Sequence, residues 1–449
     1  MKQNPSDEML ASDERLRTVV ARVLDRAAAK GASAAEAGAN LDTGLSVNVR
    51  LGEVETIEYQ RDRGLGVTVY FGNCKGSASS ADLSEAAIVE TVDKACSIAS
   101  FTAADDCAGL ADAELMADAV PELDLYHPWE LTPDAAIEQA QRCEAAALDL
   151  DQRLNNSEGS SVATHANLHV YGNSHGFLGA YPSTSHSVSC AVLGQDENGM
   201  QRDYWYTSAR DFAELRPAEE VGREAGERAL ARLGSRQVDT CRVPVVFPPE
   251  LARGLVGHFV SAIRGASQYR RASFLLEAAG NRIFPAFMSM TEYPHLQRAM
   301  GSAPFDGEGV ATADRVLVDE GVLTGYVLSS YSARKLGLQT TGNAGGVHNL
   351  TVTGGDEDLR SVIAGIDKGL LLRELIGQGV NGVTGDYSRG AAGFWIENGE
   401  IQFPVHEITI AGNLLDMFQN IEVAGADLDC RGGIRCGSIL VGEMTLAGQ

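Results

Sequence analysis

"LSVNVRLGEVETIEYQRDRGLGVTVYFGNCKGSASS", residues 45–80, alternates apolar and polar side chains, with breaks at Leu51-Gly52-Glu53 and at Gly64. A period of two is the mark of strands with one buried face, and turn residues between the runs make the stretch an antiparallel meander. Working outward, residues 13–30 carry apolar positions at helical spacing and stop before Gly31. Helices are expected at about 82–100 and 132–150, the second with Thr132 as N-cap and Pro133 at its first position. Residues 160–210 return to the strand pattern, with turn signals at Gly172-Asn173 and Gln195 to Gly199. A charged helix at about 217–233 ends this half.

After "LGSRQVDTCR" an apolar strand, "VPVVF", begins a second half that is rich in glycine. In "FWIENGEIQF" the pair Asn398-Gly399 separates two alternating arms, the strongest short hairpin signal. "VLVDEGVLTGYVL" repeats the device through Glu320-Gly321. The expected fold is therefore α+β and not a doubly wound parallel sheet. An N-terminal domain, 1–238, would join antiparallel sheet with helices. A β-rich C-terminal domain, 239–449, would hold mixed and antiparallel sheets.

Bulk properties narrow the function. A chain of 449 residues exceeds one typical core. Its 36 basic and 61 acidic residues give a net charge of −25, which repels nucleic acid and anionic membrane surfaces. The start, "MKQNPSDEML", has no apolar core of a signal peptide, and no run approaches the ~18 residues of a membrane span. The eight cysteines form no CxxC pair. Reduced thiols and a cytoplasmic location are the expectation.

Three constellations carry chemistry. "GLVGHFVSAIRG", 254–265, looks like a metalloprotease helix without its chemistry: His258 is followed by Phe259, not glutamate, and by Ala262 and Ile263, not histidine. With Leu251, Leu255, Phe259, Val260 and Ile263 on one face, a lone His258 at the face's edge reads more readily as a half-buried structural histidine. His165 and His169 fall on one face of a strand, with His175 past the following turn, and the run reads as a polar sheet face and not as a metal site. "GNAGGVHN" (342–349) could cradle an anion or a peptide backbone and otherwise is a loop between strands. "GDYSRGAAGFWIENGEI" (385–401) places Asp386, Tyr387, Ser388 and Arg389 beside glycines, a loop suited to an extended peptide. Its alternative is a surface loop in which Asp386 and Arg389 pair. No nucleophile elbow, P-loop or dinucleotide fingerprint is present.

These stretches, with "YGNSHG" (171–176), "YRRASFLL" (269–276), "PFDGEGV" (304–310), "SYSARKLGL" (330–338), "ITIAGNL" (408–414) and "RCGSILV" (435–441), occur in order. Together they resemble the TldD/TldE metalloprotease family, on the side of its TldE (PmbA) subunits. The resemblance implies a cytoplasmic zinc metalloprotease built as a heterodimer and acting on unfolded or short peptides, as in microcin maturation and antitoxin degradation. In TldD-like subunits an HExxxH motif and a distant cysteine hold the zinc. Anchored on "YRR" (269–271), that motif falls on Gly257, His258, Phe259, Val260, Ser261 and Ala262. Shifted by one, Phe259 takes the glutamate's place and Ile263 the second histidine's. Both registers lose the second histidine, and Cys436 alone does not hold zinc.

The resemblance thus implies a non-catalytic partner without its own zinc, paired with a TldD-like chain or with itself. Substrate or partner contacts are expected at Gly345, His348, Asn349 and Asp386–Arg389. Two alternatives stand: a metallopeptidase with an unusual site at His258, His348 and Cys436, or a regulatory binding protein with no part in proteolysis.

Overall fold

A computed structural model describes residues 5–197 and 199–448. Residues 1–4 of the N-terminal stretch and Asn198 of the expected turn lie outside them. The meander forms with one of its two expected breaks: the chain turns at Leu51-Gly52, but the strand Glu53–Phe71 runs straight through Gly64 and the second turn falls at Gly72-Asn73. Helix α1 (Pro5–Ala29) precedes β1 (Ala34–Arg50), β2 (Glu53–Phe71) and β3 (Cys74–Ser80). Then come α2 (Glu85–Phe101), α3 (Pro133–Leu148), β4 (Leu154–Asn173), β5 (Leu178–Asp196), β6 (Gly199–Ala209) and α4 (Ala218–Ala231). Thr132 caps α3 by accepting a hydrogen bond from the Ala135 N–H, with Pro133 at the first turn. The six strands make one antiparallel sheet in the order β3-β2-β1-β4-β5-β6.

All four helices cover a single face of that sheet. Ala35, Ala37 and Ala39 of β1 are buried with residues of α1 and α2, while Leu45, Val47 and Val49 are buried with residues of α3 and α4. These are the odd positions of one strand, so its even positions (Glu36, Asn40, Asp42, Ser46) line the opposite, polar face. The alternation in residues 45–80 is the sequence trace of this two-layer arrangement.

The second half runs β7 (Cys241–Phe247), α5 (Pro249–Ile263), α6 (Gly265–Tyr269), β8 (Ser289–Glu292), β9 (Arg315–Asp319), β10 (Val322–Leu323), α7 (Ser330–Leu336) and β11 (Leu350–Thr353). It continues with α8 (Leu359–Ala364), β12 (Lys368–Ile376), β13 (Asp386–Glu397), β14 (Glu400–Asn413), α9 (Leu414–Gln419), β15 (Ile421–Ala424), β16 (Ile434–Arg435) and β17 (Ile439–Ala447). One mixed sheet has the order β14-β13-β12-β7-β17-β15, and a further pairing of β14 with β17 closes it on itself. A five-stranded sheet, β10-β9-β8-β11-β16, stands beside it. Asn398 and Gly399 both take positive φ (51° and 75°) between β13 and β14, the conformation their types favour in a two-residue hairpin. The fold is α+β with antiparallel and mixed sheets, and among the described residues no helix is long and apolar enough to cross a membrane.

The largest buried cluster belongs to the second half and is built on α5. Ala252, Leu255, Val256, Phe259, Val260, Ala262 and Ile263 are all buried there. The helix stops where Arg264 turns extended (ψ 139°), and the chain then bridges to Val327 before α6. The carbonyl of Ala262 accepts hydrogen bonds from Ser273 Oγ (2.7 Å) and Gln268 Nε2 (2.7 Å), so the loose end of α5 is capped by Gln268 and by Ser273 of "YRRASFLL".

Candidate functional site

α5 is the element that brings the sequence's separate motifs together. From its middle, His258 faces Tyr387 of β13, ring centroids 6.0 Å apart at 75°. Just past its end, the guanidinium of Arg264 lies so close to Gly346 that a Cβ there would stand 3.0 Å from Nη2. Gly346 also has φ 135°, which side chains rarely adopt, so the loop needs glycine twice over.

Residues 386–389 are not a loop. They are the first residues of β13, paired with Asn413, Gly412, Ala411 and Ile410 of β14. Strand geometry separates the four into two faces. Tyr387 and Arg389 turn toward α5, Tyr387 being 2% exposed, whereas Asp386 and Ser388 point outward and are exposed. The expected alternative of an Asp386–Arg389 pair therefore does not form. Thr384 Oγ1 donates to Asp386 (2.6 Å), and Arg389 Nη2 donates to the carbonyl of Leu375 (3.2 Å). Arg389 Nε is buried without a partner. The other edge of β13 is also occupied: the Ser388 N–H donates to Gly379 O (2.7 Å) and the Asn381 N–H to Asp386 O (2.8 Å). A peptide can meet this strand through its side chains, not by backbone pairing.

Burial and the nearby Arg389 cation both depress the His258 pKa, so the imidazole is neutral at physiological pH. Burial raises the Tyr387 hydroxyl to about 12. The group beside α5 is thus a neutral imidazole, a protonated phenol and a guanidinium. It suits hydrogen bonding to carbonyls or carboxylates.

The loop 342–349 lies between α7 and β11 and is tied down from within. Two buried carboxylates do this, neither of which the sequence reading singled out. Asp306 accepts the N–H groups of Glu308 (2.9 Å), Val310 (3.0 Å) and Ala344 (2.8 Å). Glu292 accepts Asn343 Nδ2 (2.9 Å) and the His348 N–H (2.9 Å), and its other oxygen faces Arg315 at 3.6 Å. His348 Nε2 reaches back to the carbonyl of Gly342 (3.2 Å). Asn349 is fully buried and gives its amide to Tyr293 O (2.9 Å) and Ser302 Oγ (2.7 Å) while accepting from the Gly301 N–H (2.9 Å). Its side chain is committed to the interior, and Gly345 is the exposed point of the loop. Asp306 sits in the quoted "PFDGEGV", where an acid between an aromatic and glycines was the available signal.

Burial raises the Asp306 carboxyl to about 6, against three N–H donors that pull the other way. The unfolded carboxyl titrates at 3.8, so the folded state holds the proton more tightly. The stabilisation this gives is complete below pH 3.8 and is lost as pH rises through about 6. In urea titrations from pH 4 to 7, the wild type should lose about 2 kcal/mol relative to Asp306→Asn, most of the effect of the full shift. A constant difference between the two would contradict the assignment.

The residues do not fit a zinc ion. The motif window contributes one imidazole, and its neighbours are a phenol and a cation that repels a second cation. In either register the place of the second histidine, Ala262 or Ile263, faces the core at 4% or 0% exposure, and Phe259 is fully buried. Cys436 is also fully buried; its Sγ donates to the carbonyl of Gly437, and burial raises its pKa, disfavouring the thiolate. His258, His348 and Cys436 form no cluster: among the described residues no three His, Cys, Asp or Glu side chains come together as a metal would need. His165 lies 3.3 Å from Asp42 and His169 packs edge-on against Tyr181, as expected of polar positions on a sheet.

Comparison with known proteins agrees with this assembly of motifs. Three PmbA/TldA metallopeptidase models match in succession: domain 1 over residues 35–99, the central domain over 126–233 and the C-terminal domain over 240–448. The metalloprotease PmbA of Escherichia coli O157:H7 is 50% identical over 97% of this chain and 96% of its own length. A PmbA homologue from Haemophilus influenzae is 45% identical over 100% and 99%. Among solved structures, a Bacteroides thetaiotaomicron protein described as a candidate modulator of DNA gyrase superposes with TM-score 0.91 at 29% identity, covering 96% of this chain and 98% of that one. TldE from Thermococcus kodakarensis shares the fold, with TM-score 0.82 at 19% identity over 96% and 100%. With a match of this extent and continuity, the chain belongs to the PmbA/TldD metallopeptidase family, as a TldE/PmbA member.

Proposed function

We propose that this chain is the non-catalytic subunit of a cytoplasmic zinc metalloprotease and completes the peptide-binding chamber of a TldD-like partner. The observation that carries the reading is α5. In the register that keeps His258 as the first histidine, the base and the second histidine fall on Phe259 and Ile263, and this helix turns both into the core. The same helix keeps His258 beside Tyr387 and Arg389. Asp386 and Ser388 through their side chains, and the exposed turn at Gly345 through its backbone, would touch unfolded or short peptides, or the partner.

Reconstitution tests the proposal. This chain alone should not cleave an unfolded peptide, and its mixture with a TldD-like chain should. Ala substitutions at Asp386, Ser388 and Arg389 together should lower cleavage about tenfold or more, as the loss of charge-assisted hydrogen bonds does, while the two chains still co-elute. Unchanged cleavage would remove these residues from the function.

A further inference from the structure

A hollow of about 490 Å³ lies on the polar face of the six-stranded sheet, where β1 and β2 meet Gly307 and Glu308 of "PFDGEGV". Gly38 of β1 and Gly66 of β2 line it, directly opposite each other in the register. Neither glycine has positive φ, and a Cβ at either would meet nothing closer than 3.8 Å. Backbone conformation and packing within the chain therefore do not call for glycine, although glycine inside a strand weakens it. Cleared positions of this kind mark the close approach of a ligand.

The rest of the lining offers acceptors. The two oxygens of Glu36 accept from the phenols of Tyr70 (3.0 Å) and Tyr171 (2.8 Å). Both phenols are buried, and burial with the facing carboxylate raises their pKa, so they stay protonated and hold Glu36 in place. Glu308 acts on the same two phenols, and its Oε2 accepts the Ser330 N–H (2.9 Å). Ser330 is itself 4% exposed, and its Oγ has no partner, which leaves a vacant hydroxyl beside Glu308. Thr68 and Ser77, 3.0 Å apart, add a pair of hydroxyls.

The two carboxylates are thus held by O–H and N–H groups and not by cations. Lys75 stands opposite Tyr70 in the register but is exposed, and Arg334 is committed to the carbonyl of Gly109 (3.2 Å) and to Asp112 (3.0 Å). A metal does not fit, because among the described residues no third His, Cys, Asp or Glu completes a set. An ammonium does: it brings three donors and no acceptor, to a site with two carboxylates and a hydroxyl pair. The net charge of −25 favours its approach.

We propose that this hollow binds an ammonium group of a peptide, seated over Gly38 and Gly66 and held by Glu36 and Glu308. The proposal does not rest on the non-catalytic reading, since binding is measured on this chain alone.

The probes are three pentapeptides titrated into the full chain by calorimetry. One is acetylated with a central lysine, the second is its norleucine analogue, and the third is the norleucine peptide with a free N-terminus. The lysine peptide should bind about tenfold or more tightly than the acetylated norleucine peptide, as a charge-assisted hydrogen bond predicts. The third peptide separates the two sources of ammonium: tight binding assigns the pocket to N-termini as well, and weak binding confines it to side chains. E36Q and E308Q should each weaken the lysine peptide about tenfold. Gly66→Val fills the hollow without touching a charge. It should abolish binding while the thermal midpoint stays or rises, since valine suits a strand better than glycine. Equal affinity for all three peptides, no binding of either ammonium peptide at millimolar concentration, or full binding to a folded Gly66→Val would overturn the proposal.

Discussion

Replacing Phe259 by alanine should lower the unfolding free energy by about 3–5 kcal/mol, the cost of removing a phenyl ring from a packed core. The ring is fully buried and meets Phe284 edge-on at 4.9 Å and Phe418 at 6.1 Å. Neither neighbour can fill the space without leaving its own packing, since Phe284 and Phe418 already touch at 5.0 Å. A denaturant titration of the variant should show the midpoint fall with the second half of the chain unfolding first. Phe259→Glu, which would supply the missing base in one register, should cost more, because it buries a carboxylate with no cation beside it. An unchanged midpoint for Phe259→Ala would mean that α5 is not anchored through this residue. The claim that the motif has been given over to packing would then fail.

Arg315→Met should also cost about 3–5 kcal/mol, the usual consequence of removing one partner from a buried ion pair. Arg315 faces Glu292 at 3.6 Å and donates to Asn343 Oδ1 (2.9 Å) and Tyr326 O (2.6 Å); burial depresses its pKa. Without it, the 2%-exposed carboxylate of Glu292 keeps only the amide of Asn343 and the His348 N–H. Those are two of the hydrogen bonds that hold the 342–349 loop, so amide exchange at His348 should accelerate along with the loss of stability. In the double variant Arg315→Met/Glu292→Gln the losses should be less than additive, because the second change removes the stranded charge. Strict additivity would show that the two residues do not act on each other.

Much of this architecture was legible in the sequence because it is local. The alternation over 45–80, Thr132-Pro133 and Asn398-Gly399 each state their geometry through neighbours a few residues away, and each is found where expected. Residues 386–389 were misread as a loop for a physical reason. Glycines and polar side chains suggest a turn, but these residues pair with Ile410–Asn413 on the far side of the Asn398-Gly399 hairpin, and that pairing over more than twenty residues makes them a strand. The buttresses of the candidate site were not visible at all. Asp306, Glu292 and Arg315 are separated from the loop they hold by tens of residues, and an acid looks the same in sequence whether it is solvated or buried. The proximity of His258 to Tyr387 likewise depends on how α5 packs against β13, which no spacing in the sequence encodes.

The most direct test of the central claim is the zinc content of this chain, purified alone and without chelator. A helix with one imidazole, a facing guanidinium and core-directed Phe259 and Ile263 predicts less than about a tenth of an equivalent, since a closed site needs three or four ligands. Close to one equivalent, lost on substitution of His258, would contradict the account and make this chain a metallopeptidase in its own right.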